Sequence, residues 1–227
     1  MPPLDVVIVA GGTGLRYGAR KQFLDLGGIP VLRRSAECFE RCLPCDRIVV
    51  AVPPEDVERA SGILQGMAVE LIVTPGGATR RESVYNALRH CRPGGTVVVH
   101  DGVRPLVAPE LARRVVSGLE GCHGCIPALP LTDTVKEARE GFVARTVPRA
   151  GLVCVQTPQA FVTDALVEAH QKAHRHKKAA YTDDSSLLEE AGMRVRIVDG
   201  DPLNIKITYP ADLALAEAIL RCRAGSV

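Results

Sequence analysis

Short apolar runs rich in β-branched residues recur along the chain and predict its strands. They lie at Val6–Ala10, Ile48–Val52, Val69–Val73, Val97–His100, Cys125–Leu129, Leu152–Val155, Val195–Val198 and Ile205–Thr208. Most of these runs are continuous rather than alternating, which is typical of strands that are covered on both faces. The pattern therefore predicts a buried and mostly parallel sheet.

Segments with apolar residues at three- and four-residue spacing predict the helices. The first four are Val31–Leu43, Pro54–Gly66, Arg80–Cys91 and Pro109–Gly121, and three more follow at Thr163–His176, Asp183–Ala191 and Pro210–Arg221. A strand followed by a helix, repeated four times, indicates an α/β protein with helices on both faces of the sheet. We therefore expect an α/β/α sandwich.

The alternation stops between about residues 130 and 152. Two short strand-like pieces, Thr134–Lys136 and Phe142–Thr146, flank the turn dipeptide Glu140-Gly141. This pattern predicts a β-hairpin that stands off the sheet as an arm over about residues 131–151. Because we find no internal repeat and no linker, we expect residues 1–227 to form one domain that carries this arm.

Composition and charge exclude several classes of protein. The chain has 28 Lys+Arg against 26 Asp+Glu, a net charge of +2, with four Tyr, four Phe and no Trp. A nucleic-acid-binding protein needs a basic face or aromatic stacking platforms, so we do not expect one. The longest apolar run is five residues, whereas a membrane span needs about 20. Residues 1–5 contain no basic region or cleavage site, so we expect a cytoplasmic protein without a signal peptide.

Eight cysteines in such a protein are expected to be reduced thiols. Two Cys-x-x-Cys pairs, Cys42/Cys45 and Cys122/Cys125, could together hold a structural zinc ion, because four thiolates suit tetrahedral zinc. The pairs are far apart in the sequence, however, and neither lies in a turn rich in Gly and Lys. Free thiols are therefore the expected state, with zinc as the alternative.

A glycine-rich loop follows the first predicted strand. It reads Ala10-Gly11-Gly12-Thr13-Gly14-Leu15-Arg16, and Lys21-Gln22-Phe23 comes shortly after it. Glycines allow backbone N–H groups to approach phosphate oxygens, and the Arg and Lys would neutralise the charge. A dinucleotide fingerprint would need a third glycine where Tyr17 stands, and the Gly-Lys-Ser/Thr of a P-loop is absent. On its own, the loop predicts either phosphate binding or an ordinary glycine-rich turn.

Polar residues also follow later strands. Asp101 could bind Mg²⁺ beside a phosphate, or it could be a turn residue that bonds to its own backbone. Its neighbour His100 is expected to be structural, because Mg²⁺ prefers oxygen ligands. Two further segments indicate no particular function on their own. These are residues 76–83, at the start of the third helix, and residues 204–208, on the last predicted strand. The run His174–Lys178 predicts only the solvated cationic end of a helix.

Taken together and in order, these motifs resemble those of the 2-C-methyl-D-erythritol 4-phosphate cytidylyltransferases of the non-mevalonate isoprenoid pathway. The resemblance runs nearly end to end and rests on Ala10–Arg16, Lys21-Gln22-Phe23, Gly76-Gly77 with Arg80 and Ser83, His100-Asp101 with Arg104-Pro105, Asp133-Thr134 with Lys136, Arg149, Gln156–Phe161, Thr182-Asp183-Asp184 and Asn204–Thr208. It implies a Rossmann-like fold of the nucleotide-diphosphosugar-transferase type. It also implies a homodimer in which each arm reaches the partner's site.

The reaction implied by this resemblance is attack of the phosphate of methylerythritol 4-phosphate on the α-phosphorus of CTP. The attack is in line, pyrophosphate leaves, and the product is 4-diphosphocytidyl-2-C-methyl-D-erythritol. Such chemistry depends on positioning and charge neutralisation, and it needs no covalent intermediate. A phosphate monoester is already ionised near neutral pH, so no general base is required.

The resemblance also assigns roles to particular residues. Arg16, Lys21 and Lys206 are the implied catalytic cations, and Asp101 is the implied ligand of the cofactor Mg²⁺. The implied nucleotide-binding residues are Ala10, Gly11, Gly12, Gly14, Gly77, Arg80, Ser83 and Asp101. The residues implied to bind methylerythritol phosphate are Arg104, Thr134, Arg149 and Thr157.

Three alternatives stay open at this point. Arg20 precedes Lys21 where the family usually has Pro, and it could share the role of Lys21. A ribitol 5-phosphate cytidylyltransferase would share the glycine-rich loop and Gln156–Gln159, although the segment 204–208 favours the isoprenoid enzyme. A non-catalytic module on the same scaffold would be expected to lack the charged residues, which are all present here.

Overall fold

The computed structural model describes residues 2–12, 17–176 and 181–224, and the predicted alternation is visible over its first four repeats. The strands are β1 (Leu4–Val9), β2 (Asp25–Leu26), β3 (Ile29–Pro30), β4 (Arg47–Val52), β5 (Glu70–Pro75), β6 (Thr96–Asp101), β7 (Gly124–Pro130), β8 (Val135–Arg139), β9 (Phe142–Val147), β10 (Val153–Val155), β11 (Gln159–Val162) and β12 (Val195–Asp199). The helices are α1 (Val31–Cys42), α2 (Val57–Leu64), α3 (Arg80–Leu88), α4 (Pro109–Ser117), α5 (Thr163–His176), α6 (Ser185–Glu190) and α7 (Pro210–Ala224).

The central sheet has the strand order β10-β7-β11-β6-β1-β4-β5, and β12 also pairs with β7. Strand β1 runs parallel to both β4 and β6, β5 is parallel to β4, and β12 is parallel to β7. Strands β10 and β11 are antiparallel to their neighbours. The predicted fold class, a Rossmann-like α/β protein with a mostly parallel sheet, is therefore confirmed.

Helices cover both faces of this sheet, which explains the continuous apolar runs. Val6 and Ile8 of β1 pack in one apolar cluster with side chains of α1 and α4. Val7 and Val9 point the other way and pack in a second cluster with α3 and α5. Because successive strand residues point to opposite faces, a strand covered on both sides is apolar along a continuous run rather than at alternate positions.

The registers of the parallel strands bring their carboxyl ends together. Val9, the last residue of β1, pairs with Asp101 of β6 and with Ala51 of β4. The loops that follow these strands therefore leave the sheet at one edge. In open α/β sheets this edge is where ligands bind.

Strands β8 and β9 form a separate two-stranded antiparallel sheet. Their connecting residues, Glu140 and Gly141, have φ values of 51° and 84°, as the two central residues of a tight hairpin turn do. Phe142 and Val143, at the start of β9, are 78% and 65% exposed. The hairpin pattern in the sequence thus corresponds to a real and largely exposed arm.

One strand prediction was wrong, and three short strands, β2, β3 and β11, were not predicted. Residues 205–208 are irregular rather than a strand; the Ile207 N–H donates to the carbonyl of Val103, and its side chain is buried against α7. Burial of a non-repetitive segment produced the same apolar signal as a strand. Conversely, β11 was not predicted, because its four residues become a strand only through pairing with β6 and β7.

Candidate functional site

A cavity of about 240 Å³ opens where the loops after β1, β5 and β6 meet. Its walls include many of the residues that the sequence analysis singled out: Ala10, Gly11, Gly12, Lys21, Gly77, Arg80, Ser83, Asp101 and Lys206. Segments far apart in the sequence thus form one concave site. The predicted residues Gly14 and Arg16 lie outside the described residues.

The loop after β1 leaves the sheet in a defined direction. The Ala10 N–H donates to the carbonyl of Ala51 at 2.8 Å, which extends the pairing with β4 by one residue. Gly11 and Gly12 then emerge exposed at the cavity wall. Their main chain is therefore open to a ligand, as a phosphate-binding loop requires.

Lys21 and Arg20 are adjacent in the sequence but lie in different surroundings. Lys21 lines the cavity from a short 3-10 turn, Lys21–Phe23, and is only 8% exposed. Arg20 instead forms ion pairs with Glu55 at 2.7 Å and with Asp56. Arg20 lines neither this cavity nor the second one described below.

The first turn of α3 forms another part of the cavity wall. Thr79 caps this helix: its hydroxyl accepts from the Glu82 N–H at 3.1 Å, and the Glu82 carboxylate accepts from the Thr79 N–H. The buried Ser83 hydroxyl accepts from the Gly77 N–H at 3.1 Å and donates to the Thr79 carbonyl at 2.9 Å. A Cβ on Gly77 would lie 2.3 Å from the Cβ of Glu82. Only glycine permits this close approach.

Asp101, at the end of β6, lies among three cations. Its Oδ2 accepts from the Lys206 ammonium at 2.8 Å, and its Oδ1 lies 3.3 Å from the Arg80 Nε. The Arg104 Nε lies 3.7 Å from Oδ2. Burial disfavours the charged form of Asp101, but the guanidinium of Arg80 and the ammonium of Lys206 hold its pKa well below the usual range. The carboxylate is therefore ionised at neutral pH.

Arg80 bridges Asp101 to a second buried carboxylate, Asp184. The Arg80 Nη1 donates to the Asp184 Oδ2 at 2.6 Å, and the His170 Nε2 lies 3.4 Å from Oδ1. Burial opposes ionisation of Asp184, and its pKa is nevertheless lowered, chiefly by Arg80. Asp184 belongs to the motif Thr182-Asp183-Asp184, to which the resemblance assigned no role. Its side chain makes the ion pair that holds Arg80 in place.

A second cavity, of about 490 Å³, adjoins the first on the β7 side. Arg104, Thr157, Gln159 and Asp183 supply polar groups to its wall, and Val155 supplies apolar surface. Arg80, Asp101 and Lys206 line both cavities. The two cavities therefore meet at this charged cluster.

Lys206 reaches the cluster from the irregular segment before α7. The buried Asn204 fixes this segment: its Nδ2 donates to the Thr157 carbonyl at 2.8 Å, and its own carbonyl accepts from the Arg104 Nη1 at 2.8 Å. Lys206 was expected on a strand, whereas a network of side-chain hydrogen bonds places it.

Thr134 and Arg149 do not join these residues within the chain. Both are exposed and belong to the arm region. The Arg149 Nη1 donates to the carbonyl of Thr132. Neither residue lines the two cavities.

The cysteine pairs are buried to different degrees and stay separate. All eight cysteines are free thiols, and burial raises the pKa of Cys45 and Cys125 to about 11. Within the described residues, no group of three or more His, Cys, Asp or Glu side chains comes together to hold a metal. The zinc alternative therefore has no support from this part of the chain.

The helices that the structure describes are all too short or too polar to span a bilayer.

Comparison with known proteins gives consistent matches over nearly the whole chain. A family model described as 2-C-methyl-D-erythritol 4-phosphate cytidylyltransferase matches residues 4–222. Relatives of that name are 41% identical in Geobacillus kaustophilus (96% of this chain, 97% of the relative) and 42% identical in Pelotomaculum thermopropionicum (99% and 97%). The crystal structure of the protein of that name from Thermus thermophilus superposes with a TM-score of 0.81 at 35% identity, covering 96% of this chain and 99% of the other.

Proposed function

Because the chain belongs to the 2-C-methyl-D-erythritol 4-phosphate cytidylyltransferase family, we propose that its two cavities divide that family's reaction between them. The enzyme transfers the cytidylyl group of CTP to 2-C-methyl-D-erythritol 4-phosphate in isoprenoid precursor biosynthesis. We assign CTP to the first cavity and the acceptor to the second. The observation that carries this assignment is that Arg80, Asp101 and Lys206 line both cavities.

On the nucleotide side, the exposed main chain of Gly11 and Gly12 binds the phosphates of CTP, and Lys21 neutralises their charge. We assign Gly14 and Arg16, which follow in the same sequence motif, to this phosphate site as well. Gly77 and Ser83, held against each other by a hydrogen bond, bind the cytosine and ribose end of the nucleotide. Ala10 and Arg80 complete this side.

On the acceptor side, Arg104 and Thr157 bind methylerythritol phosphate within the second cavity. The acceptor phosphate then lies beside the charged cluster that borders the nucleotide cavity. Holding two reactants against a shared wall converts an encounter in solution into an intramolecular step, which accounts for much of the rate enhancement in such enzymes.

The chemical step is attack of a phosphate oxygen on the α-phosphorus of CTP. The new P–O bond forms as the bond to the β-phosphate oxygen breaks, and pyrophosphate leaves with the electron pair. Lys206 and Lys21 offset the negative charge that develops on the phosphoryl oxygens. The nucleophile is already ionised, so no proton has to be removed. His100 is not positioned to act as a base, because burial lowers its pKa to about 4 and both ring nitrogens are hydrogen-bonded.

We also propose Mg²⁺ as the cofactor, with Asp101 as its protein ligand. A single ionised carboxylate beside a phosphate-binding loop suits a hard cation that takes its other ligands from phosphates and water. The oxygen atoms of Asp101 already face Lys206 and Arg80, but each carboxylate oxygen can accept more than one partner. When bound, the ion would supply further neutralisation of phosphate charge.

We further propose a homodimer in which the arms cross. This arrangement is supported by the position of Thr134 and Arg149, which lie on the exposed arm and away from both cavities of their own chain. The apolar side chains of Phe142 and Val143 on the same arm are also exposed. Crossing would bring Thr134 and Arg149 to the acceptor cavity of the partner. The cytoplasmic location and the lack of a nucleic-acid partner stay predictions.

The test is to incubate the protein with CTP, Mg²⁺ and a panel of acceptors, and to measure release of pyrophosphate. Methylerythritol 4-phosphate should be used far faster than ribitol 5-phosphate or erythritol 4-phosphate. Equal use of ribitol 5-phosphate would revive the alternative that the comparisons do not favour.

A further inference from the structure

His100 connects several pieces of the site without lining either cavity. Its side chain is fully buried at the end of β6, and its ring packs edge-on against Phe39 at 4.9 Å between centroids. The Nε2 atom lies 3.0 Å from the Arg104 carbonyl, and the Nδ1 atom lies 3.0 Å from the Thr157 Oγ1. The proposed function leaves this buried polar ring without a task.

The directions of these hydrogen bonds follow from the chemistry of the partners. A carbonyl oxygen can only accept, so Nε2 must carry the proton of the ring. In the neutral ring, which burial favours, Nδ1 then accepts from the Thr157 hydroxyl. The Thr157 oxygen in turn accepts from the backbone N–H of Asp101 at 3.0 Å. The hydroxyl proton of Thr157 therefore points at His100.

We propose that His100 is a positioning residue that sets where Asp101, Arg104 and Thr157 stand relative to one another at the acceptor side of the site. The ring of His100, at the end of β6, is hydrogen-bonded both to the turn at Arg104 and to Thr157 in the segment before β11. A shift of about 1 Å in such groups can change the rate of a reaction about 100-fold. This inference rests on the acceptor roles proposed above for Arg104 and Thr157.

Kinetic analysis of variants tests the proposal. His100→Phe keeps a ring of similar size but removes both hydrogen bonds. We expect KM for methylerythritol 4-phosphate to rise about 10- to 100-fold, with a much smaller change in KM for CTP. A residue that matters only for stability would lower the folded fraction and leave both KM values unchanged.

Two partial replacements separate the two hydrogen bonds. His100→Asn can keep an acceptor near the position of Nδ1, and His100→Gln can keep a donor near the position of Nε2. Each should be less impaired than His100→Phe. If the Phe variant does not fold, these two variants still decide the question, because unchanged acceptor KM values in both would overturn the proposal.

A double-mutant cycle with Thr157 tests whether the two residues act together. Thr157→Val should raise the acceptor KM, Thr157→Ser should restore it, and adding His100→Phe to Thr157→Val should cost little more. Thr163→Val is the matched control, because Thr163 is 2% exposed and its hydroxyl has no hydrogen-bond partner in the described part of the chain. Additive effects of His100→Phe and Thr157→Val would overturn the proposal.

A spectroscopic measurement is independent of activity. In ¹⁵N-labelled protein, the His100 ring should give the pattern of a neutral imidazole with the proton on Nε2 at neutral pH. A proton on Nδ1 would contradict the arrangement. If the wild type releases pyrophosphate but the kinetic or the spectroscopic result contradicts the expectation, only the positioning role of His100 is refuted. If the wild type releases no pyrophosphate, the proposed function is refuted.

Discussion

At the scale of single residues, charge neutralisation around Asp101 and Lys21 dominates the site. Lys21 is nearly buried at the cavity wall, while Arg20 is engaged by Glu55 and Asp56. Adjacent cations in one short segment thus lie in separate surroundings. Variants at the two positions can therefore distinguish the effect of a cation at the cavity wall from the effect of a cation that only holds the segment in place.

The first prediction concerns this pair. Lys21→Ala should lower kcat by about two to three decades, because loss of a group that meets developing charge typically costs about 3–4 kcal/mol. Arg20→Ala is the matched control and should change kcat only a few-fold. Steady-state kinetics give both values, and thermal unfolding checks that each protein is folded. Near-normal turnover in Lys21→Ala with a slow Arg20→Ala would move the catalytic role to Arg20.

The second prediction concerns Asp101. Asp101→Asn should lower the rate by about two decades and weaken the response to Mg²⁺, since it removes both the proposed metal ligand and the counter-charge of Lys206. Chelation should abolish turnover of the wild type.

The control for this variant is Asp184→Asn. It also removes a carboxylate partner of Arg80 but leaves Asp101 intact, so its Mg²⁺ half-saturation should match that of the wild type. If Asp101→Asn titrates with Mg²⁺ as the wild type does, the metal ligand must be sought elsewhere.

At the scale of elements, the start of α3 links helix stability to nucleotide binding. The capping box of Thr79 and Glu82 sets the helix start, and the same turn carries the bond between Ser83 and Gly77. A change at the cap is therefore expected to alter both the free energy of unfolding and the shape of the cavity wall.

The third prediction tests that link. Thr79→Ala should lower the free energy of unfolding by about 1 kcal/mol and raise KM for CTP, because the unsatisfied Glu82 N–H loosens the first turn. Thr79→Ser retains the hydroxyl and should restore both quantities. Denaturant unfolding and nucleotide titration provide the measurements. An unchanged KM for CTP in a destabilised Thr79→Ala protein would show that the helix cap contributes to stability but not to nucleotide binding.

At the scale of the whole molecule, the central question is whether a complete site uses one chain or two. Lys21 lines the first cavity of its own chain, whereas Arg149 lies on the exposed arm and lines neither cavity. A planar guanidinium suits a phosphate, so its distance from the cavities of its own chain needs an explanation. Crossed arms in a two-fold dimer would supply one.

The fourth prediction follows from that geometry. Lys21→Ala and Arg149→Ala proteins, each nearly inactive, are unfolded, mixed in equal amounts and refolded, with different tags to isolate heterodimers. If the arms cross, each heterodimer has one site with both residues intact, and the mixture regains about a quarter of wild-type activity. Isolated heterodimers that stay inactive would sink the crossed-arm arrangement and leave Arg149 within its own subunit.

The sequence by itself determined the class of fold and most of the elements. Five apolar residues in a row at Val6–Ala10 and again at Ile48–Val52, separated by the amphipathic α1, are enough to indicate a covered parallel sheet. Such a pattern is local, and each residue carries its own signal of burial. The Gly-rich loop alone indicated only phosphate binding or a turn, and it was the resemblance of the ordered motifs to a known family that implied a nucleotide-dependent transferase.

Only the tertiary structure decided which residues meet. Nothing local in the sequence indicates that Arg80 bridges Asp101 to Asp184, or that the irregular segment at Asn204 is held by Arg104 and Thr157. The strand β11 and the burial of Lys21 depend in the same way on neighbours supplied by distant segments. The physical reason is that hydrogen bonds and ion pairs in a site are long-range contacts, whose partners are selected by the packing of the whole sheet.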